Sequence, residues 1–278
     1  MNRECIDRFD RTAEGYLLWW APVLEPASVR LVDRVGRADP GLPGGEPHDV
    51  IDIGCGTGNC LFEAARHWPG ARLTGLDASF GMLDVARREM DKLPESARAR
   101  ISFVSADASA IPAPDASFDI AVTAFMLQQL PDRAPMLREL HRVLRPGGIL
   151  AICGWVIEKI PFAPEVELEE ALADTGIVHP PSKEVRSGHF ASTESAADEL
   201  RSAGFRRVAA QPDALDHPWT VEDFIAYRTT TREVDLFESL DEPTRLRAVD
   251  ALRLRLSALA PDKLVYRPPT VSILARKP

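Results

Sequence analysis

Short apolar runs alternate with segments of helical periodicity between residues 49 and 155, and this alternation limits the possible folds more than any other feature. The runs are "DVIDIG", "ARLTGLD", "RISFVSAD", "SFDIAVTAFML" and "ILAICGW". Helical patterns such as "NCLFEAARHW" and "SFGMLDVARREMDKL" separate them. Strands joined by helices of this length form βαβ units. The chain is therefore predicted to be an α/β protein with a mostly parallel sheet and helices on both faces.

An amphipathic helix is predicted before this region. Apolar residues of "RFDRTAEGYLLWWAPVL" recur at helical spacing and predict one stripe, which comprises Phe9, Ala13, Tyr16, Leu17, Trp20 and Leu24. Residues 1–35 are therefore predicted to form an N-terminal helical cap. Proline and glycine are too dense in residues 36–48 for a regular element, so this segment is predicted to be a loop.

The pattern after residue 155 predicts two inserts between elements of the sheet. Residues 156–190 contain amphipathic pieces interrupted by prolines, which predict the first insert. Residues 191–215 have the pattern of a helix followed by a strand of the core. Residues 216–260 have a helical pattern, which predicts the second insert. Together with the N-terminal helix, the two inserts are predicted to form a helical lid over the core 49–155.

A last strand is predicted within residues 261–278, which brings the predicted sheet to seven strands. Its apolar residues alternate in "KLVYRPPTVSILARKP". Pro268 and Pro269 lack the N–H that a strand ladder requires, so they argue against a central, fully paired strand at this point.

The composition favours a globular protein that acts on a small molecule. The chain of 278 residues, 45% of them hydrophobic, can bury one sizeable core. Its formal net charge of −9 argues against nucleic acid or an anionic membrane as partner. The four cysteines show no disulfide pattern, and the charged start "MNRECIDRFDRTAEG" is unlike a signal peptide. A cytoplasmic protein is therefore predicted, with its oligomeric state left open.

Three glycines in five positions, Gly54, Gly56 and Gly58, follow the first predicted strand. Glycine lets the backbone approach a ligand closely, and ligands of open α/β sheets bind beyond the carboxyl ends of the strands. The pattern is G-x-G-x-G, whereas the dinucleotide fingerprint requires a glycine at the position of Asn59. A nicotinamide dehydrogenase is therefore disfavoured.

Two aspartates end the next two predicted strands. The carboxylate of Asp77, at the end of "LTGLD", can accept hydrogen bonds from both hydroxyls of a ribose. Asp107, at the end of "SAD", can accept a hydrogen bond from an exocyclic amine such as that of adenine. Since the carboxyl ends of parallel strands meet at one edge of the sheet, these strand ends are predicted to line one crevice.

Five segments resemble, in order and spacing, the class I S-adenosylmethionine-dependent methyltransferases: "VIDIGCGTGN", "LTGLDAS", "FVSADAS", "SFDIAVTAFMLQQLPD" and "HRVLRPGGILAI". The small-molecule branch that includes ubiquinone/menaquinone and natural-product methyltransferases is the most similar. The resemblance covers residues 49–155 well and extends weakly to Phe9, Ala13 and Tyr16 and to the last two strands. It implies a Rossmann-like fold and S-adenosylmethionine as cofactor.

The resemblance also implies a role for each matching residue. Gly54 and Gly56, in the loop with Gly58, would contact the methionine and ribose portions of the cofactor, and Asp77 would hold the ribose hydroxyls. Around the adenine the resemblance places Ala78, Met82, Asp107 and Ala108, and at the methionine end Tyr16 and Phe125. Many relatives carry a histidine after the fourth strand, where this chain has Gln128 and Gln129. This departure leaves open whether a general base exists.

The inserts contain the candidate catalytic and acceptor residues. His189, beside Phe190 and just before a predicted helix, is the first candidate for a general base. Acceptor pockets are mostly apolar, and the aromatic candidates for this one are Trp20, Trp155, Phe190 and Tyr227. The histidines and cysteines lack metal-ligand spacing, so no metal site is predicted.

The predicted activity is methyl transfer from S-adenosylmethionine to an O, N or C nucleophile of a hydrophobic or aromatic metabolite. Since the matching motifs indicate cofactor binding and not transfer, a non-methylating cyclase or a scaffold that binds the same cofactor is the alternative. A nucleic-acid or protein methyltransferase on the same fold is a further one, and the acidic net charge weighs against it.

Overall fold

A seven-stranded sheet forms the centre of the computed structural model, which describes residues 3–38, 47–157, 161–178 and 188–278. The strands are β1 (Asp49–Ile53), β2 (Arg72–Asp77), β3 (Ile101–Ser105), β4 (Phe118–Ala124), β5 (Leu144–Trp155), β6 (Arg206–Ala214), β7 (His217–Pro218), β8 (Val265–Tyr266) and β9 (Pro269–Arg276). The sheet order is β3-β2-β1-β4-β5-β9-β6, and β7 pairs with β8 separately. Neighbours from β3 to β5 are parallel, and β9 is antiparallel to β5 and β6. The predicted mostly parallel α/β fold is confirmed.

Helices connect and cover these strands. They are α1 (Arg3–Gly15), α2 (Ala21–Arg37), α3 (Asn59–His67), α4 (Phe80–Met90), α5 (Glu95–Arg98), α6 (Ala134–Val143), α7 (Ala163–Asp174), α8 (Thr193–Ser202), α9 (Val221–Tyr227), α10 (Val234–Ser239) and α11 (Glu242–Ser257). Within the described ranges, the structure contains no helix with the length and apolar character that a membrane span requires.

The central strands alternate their side chains between two buried cores, one on each face of the sheet. In β1, Val50 belongs to one core and Ile51 to the other. The first core also holds Leu31 of α2 and Leu61 of α3, and the second holds Leu140 of α6. Because helices cover both faces, every residue of β1 is buried. This double burial explains why the sequence shows nearly continuous apolar runs.

The last strand corrects the prediction from Pro268 and Pro269. β9 begins at Pro269 and pairs on both sides, so it is a central strand. A proline removes one N–H from a strand, and the first position of a strand tolerates this loss. The proline pair therefore marks only where the strand begins.

The N-terminal segment is helical, as predicted, but it does not keep one register. A π-helical turn, Tyr16–Trp20, separates α1 from α2. In this turn the N–H of Ala21 donates to the carbonyl oxygen of Tyr16, five residues earlier, and Pro22 has no N–H to donate. The wider turn rotates the residues that follow it relative to those of α1.

The predicted single stripe is consequently divided between two clusters. Ala13 is buried against Met82 of α4, and Phe9 packs on the same small cluster. Leu24 is buried in the core that α2 covers, and Trp20 packs against that core. One continuous helical register would not have produced this division.

One carboxylate holds α1 against the start of α4. Asp10 Oδ1 accepts hydrogen bonds from the hydroxyl of Ser79 at 2.6 Å and from the N–H of Gly81 at 2.8 Å. Ser79 is the N-cap of α4, and its hydroxyl oxygen accepts from the N–H of Met82 at 3.1 Å. A Cβ on Gly81 would lie 2.4 Å from the carbonyl oxygen of Asp10, so this approach requires glycine.

A buried ion pair stabilises the second predicted insert. Arg228 donates to both carboxylate oxygens of Glu233 at 2.6 and 2.7 Å, and to Glu165 of α7 at 3.2 Å. The last contact joins the first insert to the second. Residues 158–160 and 179–187 of the first insert lie outside the described residues. The assignment of both inserts to a substrate lid therefore stays a prediction.

Replacing Gly81 with alanine tests how α1 docks. We expect Gly81→Ala to lower the free energy of unfolding by about 1–3 kcal/mol, because the added methyl group overlaps the backbone of α1. Urea unfolding followed by circular dichroism measures this change. The control is Asp84→Ala at an exposed position of α4, with an expected change below about 0.5 kcal/mol. Equal stability of Gly81→Ala and the natural protein would contradict the close docking.

Candidate functional site

The three glycines of the loop lie in different surroundings. Gly54, Gly56 and Gly58 all have positive φ, of 69°, 53° and 102°. A Cβ on Gly54 would lie 2.3 Å from the Met126 side chain, and one on Gly58 would lie 2.3 Å from the ring of Phe62. A Cβ on Gly56 would meet nothing within 4 Å. Gly54 and Gly58 are therefore required by protein packing, whereas Gly56 faces open space that a ligand can enter.

Asp77 connects the end of β2 to this loop. Its Oδ2 accepts a hydrogen bond from the N–H of Gly56 at 2.9 Å, and its Oδ1 accepts one from the N–H of Ser79 at 2.9 Å. Burial raises the pKa of Asp77, and hydrogen bonds from Ser79, Gly56 and Ala78 oppose that rise. A carboxylate has about four acceptor positions. With these backbone hydrogen bonds formed, Asp77 therefore still has acceptor capacity for a ligand hydroxyl.

One cleft joins the glycine loop to the N-terminal helices. Of the predicted cofactor residues, Tyr16, Gly54, Gly56 and Phe125 line it. The lining also includes residues that the sequence analysis did not predict, namely Leu24, Ser28, Asp52, Cys55, Thr57, Asn59, Cys60 and Ala124. Asn59 Nδ2 donates a hydrogen bond to the carbonyl oxygen of Ala21 at 2.9 Å. The residue that excluded the dinucleotide fingerprint thus attaches α2 to the loop.

Phe125 and Tyr16 form aromatic borders of the cleft. Phe125 follows β4 with a φ of 56°, and its N–H donates to the carbonyl oxygen of Cys153 at 2.8 Å. Left-handed backbone at a non-glycine residue is maintained by surrounding contacts, and such residues cluster at functional sites. Burial, followed by the charge of Asp77, raises the pKa of Tyr16, so its phenol stays neutral.

Asp52 is the principal site residue that the sequence analysis missed. It lies in β1, is only 1% exposed, and its Oδ2 has no hydrogen-bond partner within the described part of the chain. Burial and then the negative charge of Asp77 raise its pKa to about 8, while a backbone hydrogen bond from Leu61 opposes the shift. An aspartate inside the apolar run "DVIDI", directly before the glycines, was the signal that could have identified it.

The residues predicted around an adenine follow the ends of β2 and β3 in the chain. The N–H of Ala106 donates to the carbonyl oxygen of Asp77 at 3.1 Å, which brings the ends of β2 and β3 together. Asp107 Oδ1 accepts from the N–H and hydroxyl of Ser109 at 2.8 and 2.6 Å. Ala108 and Met82 are buried, in separate clusters, and Ala78 is half-buried. Their contacts with a cofactor stay predictions.

Aromatic side chains extend from the cleft towards the predicted lid. The ring centroids of Phe125 and Trp155 are 4.5 Å apart, and those of Trp155 and Trp20 are 6.3 Å apart. Trp20 stacks on Tyr227 at 5.1 Å with an interplanar angle of 4°. The structure therefore brings three of the four predicted acceptor residues together. Tyr266 of β8, which the sequence analysis missed, contacts Trp20 and Trp155 at 5.9 and 6.3 Å.

His189 and Phe190 are adjacent in the chain but lie in different surroundings. The N–H of Phe190 donates to the carbonyl oxygen of Trp155 at 2.9 Å. The ring of His189 lies 6.3 Å from that of Trp155, next to the aromatic wall. Phe190 is buried in the other core, with Leu200 of α8. The structure therefore places His189, and not Phe190, beside the other acceptor candidates.

The pH dependence of stability tests the buried state of Asp52. Since a folded pKa of about 8 lies above the usual value of 3.8, the folded protein retains a proton that the unfolded chain releases. We therefore expect Asp52 to lower the free energy of unfolding by a few kcal/mol as the pH rises from about 4 to about 8. Asp52→Asn should remove this decrease, as measured by urea unfolding at pH 5 and pH 8.5. Asp84→Asn is the exposed control, and parallel pH profiles for Asp52→Asn and the natural protein would contradict the assignment.

Comparisons with known proteins agree with this geometry. A family model described as "Methyltransferase domain" matches residues 50–148. Demethylmenaquinone methyltransferase of Lactococcus lactis is 37% identical over 100 residues, which are 36% of this chain and 38% of that protein. The 27-O-demethylrifamycin SV methyltransferase of Amycolatopsis mediterranei is 29% identical over 237 residues, covering 82% of this chain and 75% of that protein. The match to the Lactococcus relative thus spans well under half of that protein's length.

A solved methyltransferase structure has a similar fold. Phosphoethanolamine N-methyltransferase 2 of Haemonchus contortus, solved with phosphomonomethylethanolamine and S-adenosylhomocysteine, superposes with a TM-score of 0.50. It is 17% identical and covers 91% of this chain and 52% of that one, so this likeness concerns the fold alone. The chain is thus similar to class I S-adenosylmethionine-dependent methyltransferases, and residues 50–148, which hold the glycine loop and the carboxylate at the end of β2, match the methyltransferase domain family.

Proposed function

We propose that the protein transfers the methyl group of S-adenosylmethionine to an O, N or C nucleophile of a hydrophobic or aromatic small molecule. The observation that carries this proposal is the continuity of two features. Phe125 lines the cleft of the glycine loop, and the rings of Trp155, Trp20 and Tyr227 follow it with centroid distances of 4.5, 6.3 and 5.1 Å between successive rings. A cofactor site that opens onto an aromatic wall suits an apolar acceptor.

The chain's own residues fit the cofactor. S-adenosylmethionine supplies an activated methyl group on a sulfonium, and it also carries an ammonium group. Asp52 Oδ2 is a buried acceptor without a partner among the described residues, and it lines the same cleft as Gly56. A cation beside Asp52 favours its ionised form. We assign Asp52 to the methionine end, Gly56 to the close backbone approach, and Asp77 to the ribose hydroxyls.

The protein's contribution to the reaction is mainly positioning. Methyl transfer requires the nucleophile in line with the sulfonium, with the reacting atoms about 3–3.5 Å apart. Tyr16 and Phe125 line the cleft, and the ring of Phe125 also packs on Trp155 of the aromatic wall. Buried rings exclude water from this junction, which protects the reaction from solvent.

His189 is the proposed general base for an acceptor that must lose a proton. Its ring lies beside Trp155, one ring away from Phe125 and hence from the cofactor cleft. An imidazole takes up a proton near neutral pH, whereas a phenol or alcohol does not ionise readily there. An amine or an activated carbon can accept the methyl group without such a base, so the role of His189 depends on the acceptor.

Charge and relatives support a small metabolite as acceptor. The net charge of −9 disfavours nucleic acid. The similarity to a rifamycin methyltransferase over 82% of this chain supports an acceptor from secondary metabolism. Cys55, Cys60 and Cys153 are buried thiols that form no disulfide among the described residues, which supports the cytoplasmic location that we propose.

Calorimetric titration tests the cofactor assignment. We expect S-adenosylmethionine and S-adenosylhomocysteine to bind, and NAD not to bind. Asp77→Ala should weaken S-adenosylhomocysteine binding about tenfold or more, because hydrogen bonds to a charged group are each worth about 1.5–3 kcal/mol. Asp84→Ala should bind normally. Equal affinity of Asp77→Ala and the natural protein would contradict the assignment of Asp77.

An acceptor screen tests the reaction itself. We expect some hydrophobic or aromatic compounds to cause S-adenosylhomocysteine formation and to gain 14 mass units per methyl group. With a hydroxyl acceptor, His189→Gln should lower kcat about 100-fold and leave cofactor affinity unchanged. His141→Gln, on α6, is the control. Cofactor binding without acceptor-dependent S-adenosylhomocysteine would favour the cyclase or scaffold alternative, and an unchanged kcat of His189→Gln would exclude His189 as the base.

A further inference from the structure

Arg133 contacts both neighbours of His189. Its guanidinium carbon lies 4.5 Å from the ring centroid of Phe190, and its Nη1 lies 3.5 Å from the carbonyl oxygen of Gly188. Arg133 immediately precedes α6, so it belongs to a different part of the chain from the segment it contacts. The residues on either side of His189 are therefore held by one side chain.

Arg133 is itself held in place by α8. Its Nη2 forms an ion pair with Glu199 at 2.9 Å, and the two side chains are only 18% and 28% exposed. Partial burial reduces the screening of such a pair, and the planar guanidinium can stack on Phe190 while it pairs with the carboxylate. This combination of one stacked face and one paired edge fits arginine and does not fit lysine.

The segment from Gly188 to Phe190 is closely packed on its other side as well. A Cβ on Gly188 would lie 2.3 Å from Cα of Gln128, so the segment rests on the loop that follows β4. Gln128 Nε2 in turn donates to the carbonyl oxygen of Phe125, which borders the cofactor cleft. The segment that carries His189 is therefore packed between Arg133 and the loop that carries Phe125.

We propose that Arg133, supported by Glu199, is a positioning residue that fixes His189 at the acceptor side of the site. The inference rests on the proposed role of His189 in methyl transfer. Among the described residues, Arg133 contacts Gly188, Phe190 and Glu199, and in this proposal it acts through the segment 188–190. Loss of its side chain should therefore loosen this segment and leave cofactor binding intact.

Hydrogen exchange followed by mass spectrometry tests the contact without any acceptor. The N–H of Phe190 donates to Trp155, and the N–H of Ile157 donates to Phe190, both at 2.9 Å. We expect Arg133→Met to accelerate exchange of these two amides about fivefold or more, and Arg133→Lys to have a smaller effect. Arg138→Met, at an exposed position of α6, is the matched control. Unchanged exchange in Arg133→Met would overturn the proposal.

The reactivity of His189 separates positioning from a merely structural role. Diethylpyrocarbonate modifies imidazoles, and peptide mass spectrometry gives the rate for each histidine. In Arg133→Met we expect the rate at His189 to rise about fivefold or more, with the rate at His67 unchanged. A rate at His189 equal to that of the natural protein would overturn the proposal even if amide exchange increases.

Titration with S-adenosylhomocysteine in the same preparations distinguishes a failure of the proposed function from a failure of the proposal for Arg133. If the natural protein does not bind this ligand, the proposed function fails, and the exchange and modification data still decide whether Arg133 holds His189. If Arg133→Met binds it more than about tenfold more weakly, the contact acts on the cofactor site, and the proposal is overturned. Once an acceptor is known, Arg133→Met should lower the kcat of the natural protein. Added to the His189→Gln variant, the same substitution should cause no further decrease in kcat.

Discussion

The carboxylate of Asp77 is the interaction on which the rest of the site depends. One oxygen holds the N–H of Gly56, and the other holds the N–H of Ser79, where α4 begins. Ser79 in turn donates to Asp10, which docks the N-terminal helix. A single side chain at the end of β2 thus connects the glycine loop, the start of α4 and the cap. Its burial makes these charge-assisted contacts stronger than they would be in water.

A second buried carboxyl group, that of Asp52, lies beside Asp77. Asp52 and Asp77 lie in neighbouring strands, and after burial the negative charge of Asp77 raises the pKa of Asp52. A ligand with a positive charge relieves this conflict, and S-adenosylmethionine carries two cationic groups. Open space at Gly56 and the acidic side chains of Asp52 and Asp77 are thus the two features that this region offers a ligand. The aromatic wall beyond Phe125 contributes neither, which suits an acceptor that is recognised by apolar contact.

Much of the fold was accessible from the sequence, because its signals are local. Apolar runs separated by helical patterns predicted the parallel sheet. The glycines Gly54 to Gly58, together with Asp77, predicted a ligand site at the carboxyl-terminal edge of that sheet. Interactions between distant residues were not accessible. Asp10 contacts Gly81, Arg133 contacts Gly188, and Tyr266 contacts Trp20, and nothing in the local pattern of either partner indicates the other. Asp52 was visible in the sequence, yet its burial and its pKa depend on neighbouring strands.

The sequence by itself determined the α/β class, the order of the strands along the chain, and the G-x-G-x-G loop with its acidic companion. These follow from periodicity and from the backbone freedom of glycine, which act within a few residues. Only the tertiary structure decided that β9 is central, that a π-helical turn divides the N-terminal stripe, and that His189 lies beside Trp155 whereas Phe190 is buried in the opposite core. These outcomes depend on packing between segments far apart in the chain, where burial and close contact override local preference.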